Sequence, residues 1–366
     1  MTAPFVVPTV DISPFVQGGS SDDKARVAEQ IDDAARSVGF IQIVGHGIPA
    51  EAIDGLAGAI DDFFGLSLAE KKVFRTPALT NRGYSPPKSE SLSLSLGVES
   101  ANKMNDFFEA FNVGEDYDRS AVAGYPANSY PENLWPAVDG FETRVTAYYD
   151  EARRVAQTLT RIFARALDLP ESYFVDRADR PMSMMRMNNY ALQPGMDVLL
   201  DGELRGMGEH TDFDIVTVLW ADQVAGLQVL GKDGSWNDVQ PADGALLVNL
   251  GDSIARWTND RWVSTLHRVK PPVVDGTIRR RRSAAFFFDA NYETVIEAFP
   301  SCVEPGSLPL HEPISVGAHI MEKLSGSRGG KKNENAERDA DRVRAAVAAS
   351  AVSSTSLVES TGTDHA

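Results

Sequence analysis

The chain predicts a mainly β protein with flanking helices, the helices leading and an antiparallel sandwich or barrel following. Two observations carry this. From Met182 the apolar period changes from 3.6 residues to 2, and short β-branched and aromatic segments recur to about Tyr292 between Pro, Gly, Asp and Asn turns. Before that point the apolar residues fall at helical spacing. Of 366 residues, 43% are hydrophobic and 24% charged, which is ordinary for a soluble globular chain with ample core.

The elements follow in order. Val6-Val7-Pro8-Thr9-Val10-Asp11 reads as a short strand closed by a turn, and 20–39 as a helix through Val27, Ile31, Ala34 and Ala35 behind Ser20-Ser21-Asp22 caps. A strand over 40–44 stops at Gly45-His46-Gly47, and Pro49 opens a helix through Ile53, Leu56, Ile60 and Phe63-Phe64. Residues 76–118, rich in Ser, Pro, Gly and Asn, read as a long irregular segment and a candidate substrate lid. A long helix is expected over 135–169. Strands are expected over 182–190, 215–220, 227–230, 245–250, 267–269 and 283–289, and a last helix over 308–324. Beyond Ser325 large apolar residues vanish, so that segment reads as a disordered tail whose removal should leave activity intact. The organisation expected is an N-terminal helix-and-strand region (1–175, an α/β region carrying the 76–118 lid), a β core (176–325) and the tail (326–366).

Charge narrows the function. With 35 Lys and Arg against 52 Asp and Glu, the formal charge is −17, which argues against nucleic acid as a partner. The single cysteine, Cys302, excludes an internal disulfide and a CxxC site. No basic leader and no run of about 18 apolar residues is present, so no membrane association and a cytoplasmic location are expected. Strand, then Gly45-x-Gly47-x-x-Ala50, then helix imitates a dinucleotide fingerprint. No second parallel strand with an acidic end follows, and Pro49 removes an amide a pyrophosphate would use. His46 is accordingly expected to be a packed, hydrogen-bonded histidine.

The chemistry gathers around His210-Thr211-Asp212. On an extended strand residues i and i+2 share a side, so the imidazole and the carboxylate would face one point. His267, at the start of a later strand, can add a second imidazole. Two neutral imidazoles and one carboxylate on one face of an octahedral ion leave three positions open, the arrangement of non-haem Fe(II) oxygen chemistry, and no further catalytic residue is needed. Tetrahedral zinc fits less well. Arg281 and Ser283 are again i and i+2, a guanidinium beside a hydroxyl, suited to a buried carboxylate; Asn188 and Tyr190 share a face in the same way. A dicarboxylic ligand is implied. Arg279, Arg280 and Arg282 read as a solvated basic hairpin.

These motifs resemble the Fe(II)/2-oxoglutarate-dependent dioxygenases of the isopenicillin N synthase-like branch, over nearly all of 5–325. The likeness runs through Val7-Pro8-Thr9-Val10-Asp11, Gly39-Phe40-Ile41-Gln42-Ile43-Val44-Gly45-His46-Gly47-Ile48-Pro49, Arg82-Gly83-Tyr84 and Met185-Arg186-Met187-Asn188-Asn189-Tyr190. It continues in His210-Thr211-Asp212-Phe213-Asp214, Gly226-Leu227-Gln228-Val229, Val248-Asn249-Leu250-Gly251-Asp252, Arg261-Trp262-Val263-Ser264-Thr265-Leu266-His267-Arg268-Val269 and Arg281-Arg282-Ser283. The resemblance implies a double-stranded β-helix (jelly-roll) core with Fe(II) held by His210, Asp212 and His267. It implies 2-oxoglutarate as co-substrate, its distal carboxylate on Arg281 and Ser283 with Tyr190 and Asn188 assisting. It further implies O2 as oxidant, stimulation by ascorbate, and hydroxylation or desaturation of a small molecule with release of succinate and CO2. The same scaffold also serves iron oxidases that dispense with 2-oxoglutarate, such as oxidative cyclases. Residues 192–207 are longer than the link usual in relatives, and position 191 is Ala where relatives often carry Pro. Substrate identity and oligomeric state are not legible.

Overall fold

Strands that alternate large apolar and small or polar residues can bury both faces when a sheet is covered by helices on one side and by a second sheet on the other. That is how this chain is built. A computed structural model describes residues 5–98, 108–191, 207–270, 273–274, 277–333, 336 and 341. Its strands are β1 (Thr9–Asp11), β2 (Phe40–Val44), β3 (Gly83–Ser85), β4 (Glu109–Gly114), β5 (Met184–Tyr190), β6 (Met207–His210), β7 (Val216–Ala221) and β8 (Leu227–Leu230). They continue with β9 (Trp236–Asp238), β10 (Leu246–Leu250), β11 (His267–Val269), β12 (Val273–Val274), β13 (Thr277–Ile278), β14 (Arg281–Phe288), β15 (Val295–Ile296) and β16 (Ile314–Ser315). The helices are α1 (Ser13–Val16), α2 (Ser21–Ser37), α3 (Ala50–Phe64), α4 (Leu68–Lys72), α5 (Phe141–Ala166), α6 (Asp252–Trp257) and α7 (Val316–Ser327).

Eight strands form one sheet in the order β1-β2-β10-β7-β14-β5-β4-β3, and four form another, β6-β11-β8-β9. The two enclose one cavity, the expected jelly-roll core, with helices outside the larger sheet. The strands from the first 114 residues do not form a separate layer. They extend the core sheet at both edges, β2 beside β10 and β4 beside β5.

The long helix α5 buries Val145, Tyr148, Ala152, Val155, Leu159 and Ile162, a stripe at 3.6-residue spacing, against the sheet and the other helices. It begins at Phe141, later than expected, because Gly140 before it is left-handed (φ 61°), and Asp168 (φ 55°) closes the far end. Phe63 of α3 packs on Phe111 of β4 at 4.4 Å between ring centres and on Phe141 at 5.7 Å, tying the helical layer to the sheet.

Three expectations are corrected. The 76–118 segment is not irregular throughout: it contains β3 and β4, the latter buried at every residue; the other described parts of the expected lid, 76–82, 86–98, 108 and 115–118, are loop with 3-10 turns at Ala78–Thr80 and Leu92–Leu96, and 99–107 lies outside the described residues. Short strands among Ser, Pro and Gly gave no periodicity to read. The last helix starts at Val316, because Pro309 and Pro313 interrupt any earlier start and Ser315 caps by accepting from the Ala318 amide at 3.2 Å. The chain beyond Ser325 is not loose at its start. Gly326, Ser327 and Arg328 are buried, the Ser91 amide donates to the Ser327 carbonyl, and the Asn333 amide donates to the Leu94 carbonyl. Polar residues hid this packing, because hydrogen bonds and an ion pair hold it instead of apolar area. The rest of that segment, like the long link 192–206, lies outside the described residues, apart from 336 and 341.

Candidate active site

His210 ends β6 and His267 begins β11, and the two residues stand opposite each other in the antiparallel register, which brings their ring centres to 4.2 Å. Asp212 lies two residues past the end of β6, so it is a loop residue and not the strand partner that i, i+2 alternation suggests. The loop is held from below: the Asp252 amide donates to the Asp212 carbonyl at 2.8 Å, and Ser253 Oγ donates to the Phe213 carbonyl at 2.8 Å. Oδ1 of Asp212 then sits 3.8 Å from His210 Nε2 and 3.7 Å from His267 Nε2. One donor atom from each of the three lies within 4.8 Å of the others.

The atoms not facing this point are all engaged. His210 Nδ1 is 2.8 Å from the Gly208 carbonyl and His267 Nδ1 is 3.0 Å from the Thr265 carbonyl. A carbonyl only accepts, so both Nδ1 atoms carry the proton and both Nε2 atoms present a lone pair, the state a metal requires. Burial first, and then the facing His267, hold His210 well below its ordinary pKa, which keeps it neutral near pH 7. The second oxygen of Asp212 accepts from Thr217 Oγ1 at 2.5 Å and from Asn249 Nδ2 at 2.6 Å. This donor set fits a six-coordinate ferrous ion with an open face.

Asp214 carries a further constraint. Its Oδ2 is 3.0 Å from the same Thr217 hydroxyl, which has only one hydrogen and gives it to Asp212. The second contact therefore needs a proton on Asp214, and burial together with the Asp212 charge pushes that carboxyl well above its usual range. Asp289, moved to about 7 by burial and by Asp212, is another acid that lines the cavity.

Arg281 and Ser283 on β14 pair in register with Tyr190 and Asn188 on β5, so the four predicted residues meet as two cross-strand pairs. Arg281 is buried, donates from Nε to the Val224 carbonyl at 3.2 Å and from Nη1 to Ser283 Oγ at 3.3 Å, and lies 5.2 Å from the Tyr190 ring centre. Among the described residues no carboxylate lies within ion-pair distance of it. A buried cation in a cavity without a counter-charge fits an anionic ligand. Asn188 accepts from Arg186 Nε at 3.1 Å and points Nδ2 at Ser283 Oγ, 3.5 Å away. All seven predicted residues line the same cavity. By contrast Arg280 and Arg282 both pair with Asp61 outside it, as a basic surface strand should.

His46 is the packed residue expected: its Nδ1 accepts from the Ile48 amide at 3.2 Å and its Nε2 donates to the Gly244 carbonyl at 3.1 Å, between left-handed Gly45 and Gly47.

Sequence reasoning missed Asn249 and Thr217, which orient Asp212, and Arg186, Glu90 and Arg328, which line the cavity. Arg186 was within reach of the argument, since it alternates with Asn188 and Tyr190 on one face of β5. Glu90 and Arg328 meet across 238 positions with no local pattern to mark them.

Comparison with known proteins agrees with this geometry. Residues 7–138 match the family model described as non-haem dioxygenase in morphine synthesis N-terminal, and residues 181–290 match that of the 2OG-Fe(II) oxygenase superfamily. The chain is 36% identical over 364 residues to the 2-oxoglutarate-Fe(II) type oxidoreductase hxnY of Emericella nidulans, covering 96% of this chain and all of that one. It is 31% identical to the oxidoreductase ppzC of Metarhizium rileyi, covering 82% of this chain and 81% of that one. The crystal structure of a full-length Neurospora crassa protein in complex with alpha-KG and thymine superposes with a TM-score of 0.74 at 27% identity, covering 87% of this chain and 96% of that one.

Proposed function

Because the chain belongs to the 2OG-Fe(II) oxygenase superfamily, we propose that it hydroxylates or desaturates a small molecule, with His210, Asp212 and His267 as iron ligands and Arg281 and Ser283 as the clamp for 2-oxoglutarate. That it is an Fe(II)- and 2-oxoglutarate-dependent oxygenase of small molecules follows from its family. Which residues do the work is our reading of the geometry. Bound iron supplies oxygen activation coupled to conversion of 2-oxoglutarate to succinate and CO2. The protein supplies position. The Gly208 and Thr265 carbonyls fix both imidazoles with Nε2 inward, and Thr217 and Asn249 leave one Asp212 oxygen free to ligate. Arg281 and Ser283 would receive the distal carboxylate, Tyr190 and Asn188 shaping that end, while Leu219 and Phe287 keep water from the reacting centre.

The observation that carries this reading is the convergence of three ligand atoms within 4.8 Å in a cavity that a buried arginine, without a counter-charge among the described residues, also lines. It favours the 2-oxoglutarate-dependent chemistry of the relatives over an iron oxidase without that co-substrate. The described part of residues 1–175 serves in this proposal as sheet edges and helical cover, with the 86–98 loop as the entrance. No described helix is long and apolar enough to cross a membrane. With the lone Cys302 this supports a cytosolic setting, and the acidic charge supports a substrate other than nucleic acid. The Neurospora crassa neighbour, solved with thymine, gives the size of molecule such a cavity admits in a protein of this fold.

Anaerobic titration with Fe(II) and 2-oxoglutarate tests it. A charge-transfer band should grow with 2-oxoglutarate in the wild type and be absent in His210→Ala and Asp212→Ala. A band that survives in either variant refutes the ligand assignment.

A further inference from the structure

The cavity holds a second cluster of charge that neither the iron ligands nor the 2-oxoglutarate clamp uses. Arg186 lies on β5 two residues before Asn188, and both line the cavity that His210, Asp212 and His267 also line. Glu90 comes from the loop after β3, and Arg328 from the turn that follows α7. Arg186 Nη2 is 2.8 Å from one Glu90 oxygen and Arg328 Nε is 3.4 Å from the other. All three are more than nine-tenths buried, with 8, 2 and 7% exposure for Arg186, Glu90 and Arg328. Burial raises the Glu90 pKa, but the two arginines outweigh it and the net shift is downward, so the carboxylate stays charged.

The balance is two guanidiniums to one carboxylate, and among the described residues neither arginine has a second acidic partner. Glu90 is held between the two arginines, one on each oxygen, with Ser85 beside it. Arg328 is committed: Nη1 donates to Asn81 Oδ1 at 2.7 Å and Nη2 to Ser85 Oγ at 2.8 Å. Arg186 spends Nε on Asn188 and Nη2 on Glu90, which leaves Nη1 without a partner among the described residues. The cluster as a whole therefore carries one excess positive charge, and Arg186, which lines the cavity with Nη1 uncommitted, can present it there.

We propose that Arg186 is the substrate-recognition residue and that it takes the carboxylate of a small monoanionic substrate, with Glu90 and Arg328 as positioning residues. A carboxylate matches the planar guanidinium and cancels the excess charge, which a neutral amide of the same shape does not. The rest of the substrate would lie on Met182, Met184, Phe287 and Met321, the apolar wall of the same cavity. Arg328 gives the C-terminal segment a part in this, since it fixes Glu90 and Asn81 from beyond the last helix.

This inference rests on the oxygenase reading, and the test separates the two. The full-length protein is given matched probes, benzoate with benzamide and hexanoate with hexanamide. Succinate release is read with Fe(II) and 2-oxoglutarate, and the melting temperature with Mn(II) and 2-oxoglutarate. Acids are expected to stimulate or stabilise and their amides to do neither. Arg186→Met should raise the half-saturating acid concentration by at least ~30-fold, and Arg186→Lys by less, because it keeps the charge. Amides as effective as acids, no response to either acid, or an Arg186→Met protein that melts normally and responds like wild type overturns the subsite. Absence of succinate and of any 2-oxoglutarate-dependent stabilisation, with or without probes, is instead the failure of the oxygenase reading.

Discussion

Asn249 Nδ2 lies 2.6 Å from Asp212 Oδ2, a bond from the middle of the core sheet to the loop that presents the ligand carboxylate. Together with Thr217 it turns a side chain with two equivalent oxygens into one with a single free oxygen. Asn249→Ala should therefore weaken Fe(II) or Mn(II) binding by about 10–100-fold while the protein still folds. Metal titration followed by electron paramagnetic resonance of Mn(II) checks this; unchanged affinity would mean that Thr217 alone orients the carboxylate.

Arg281→Ala removes the counter-charge assigned to 2-oxoglutarate. A lost buried charge partner costs roughly 2–5 kcal/mol, so the half-saturating 2-oxoglutarate concentration should rise by at least ~30-fold. Steady-state succinate assays at varied 2-oxoglutarate measure it, and an unmoved value would put the clamp elsewhere.

Truncation after Ser325, which composition alone makes look harmless, is expected to harm. It deletes Ser327, whose carbonyl pairs with the Ser91 amide, and Arg328, which holds Glu90, Asn81 and Ser85. The shortened chain should melt several degrees lower, since a loss of 1 kcal/mol shifts Tm by about 2–4 °C in a protein of this size. Scanning calorimetry of the shortened and full-length chains decides, and an unchanged Tm would show that these contacts add nothing to stability.

What was legible in the sequence follows from what each element is made of. Strands β8 and β11 were predicted at the bounds the structure gives, because alternation and turn residues frame them on both sides. Four of the seven candidate residues were legible as neighbours because strand periodicity sorts Arg281 with Ser283 and Asn188 with Tyr190 onto one face. Asp212 was found for a reason that fails locally, since it lies on a loop and depends on hydrogen bonds from Thr217, Asn249 and Asp252 that no short window contains. Arg328 was illegible because a polar residue in a low-complexity stretch gives no sign of being buried by pairing.

The Lys71–Glu109 ion pair, 2.8 Å long and almost wholly buried, joins α4 to β4. Glu109 also accepts from Tyr84 Oη at 2.6 Å and Asn189 Nδ2 at 2.9 Å. Lys71→Met leaves that carboxylate without its ammonium and should cost about 3 kcal/mol of unfolding free energy. Lys71→Met with Glu109→Gln should recover part of the loss. Urea denaturation of both variants tests this, and equal losses would show that the charge is not the cause.

His319 of α7 gives the metal-free protein an acid limb. Burial first, then the Lys323 charge, push its pKa down to about 3 from 6.5. The folded state binds its proton less readily than the unfolded one, so the stability is complete above about pH 6.5 and declines as pH falls toward 3. The slope should approach ~1.4 kcal/mol per pH unit at most from this group. His319→Gln should flatten the limb in denaturant titrations between pH 6.5 and 4; an identical slope in the variant would assign the limb to other groups.

The placing of β2 and β4 bears on how such a chain can be cut and recombined. The four strands β10, β7, β14 and β5 are contiguous, and both of their outer neighbours come from the first 114 residues. A fragment limited to 176–325 would expose two long unpaired backbone ladders at once, which invites self-association through its borders. Chimeras that trade substrate preference between relatives should therefore exchange surface loops, or carry the leading strands along with the barrel they border.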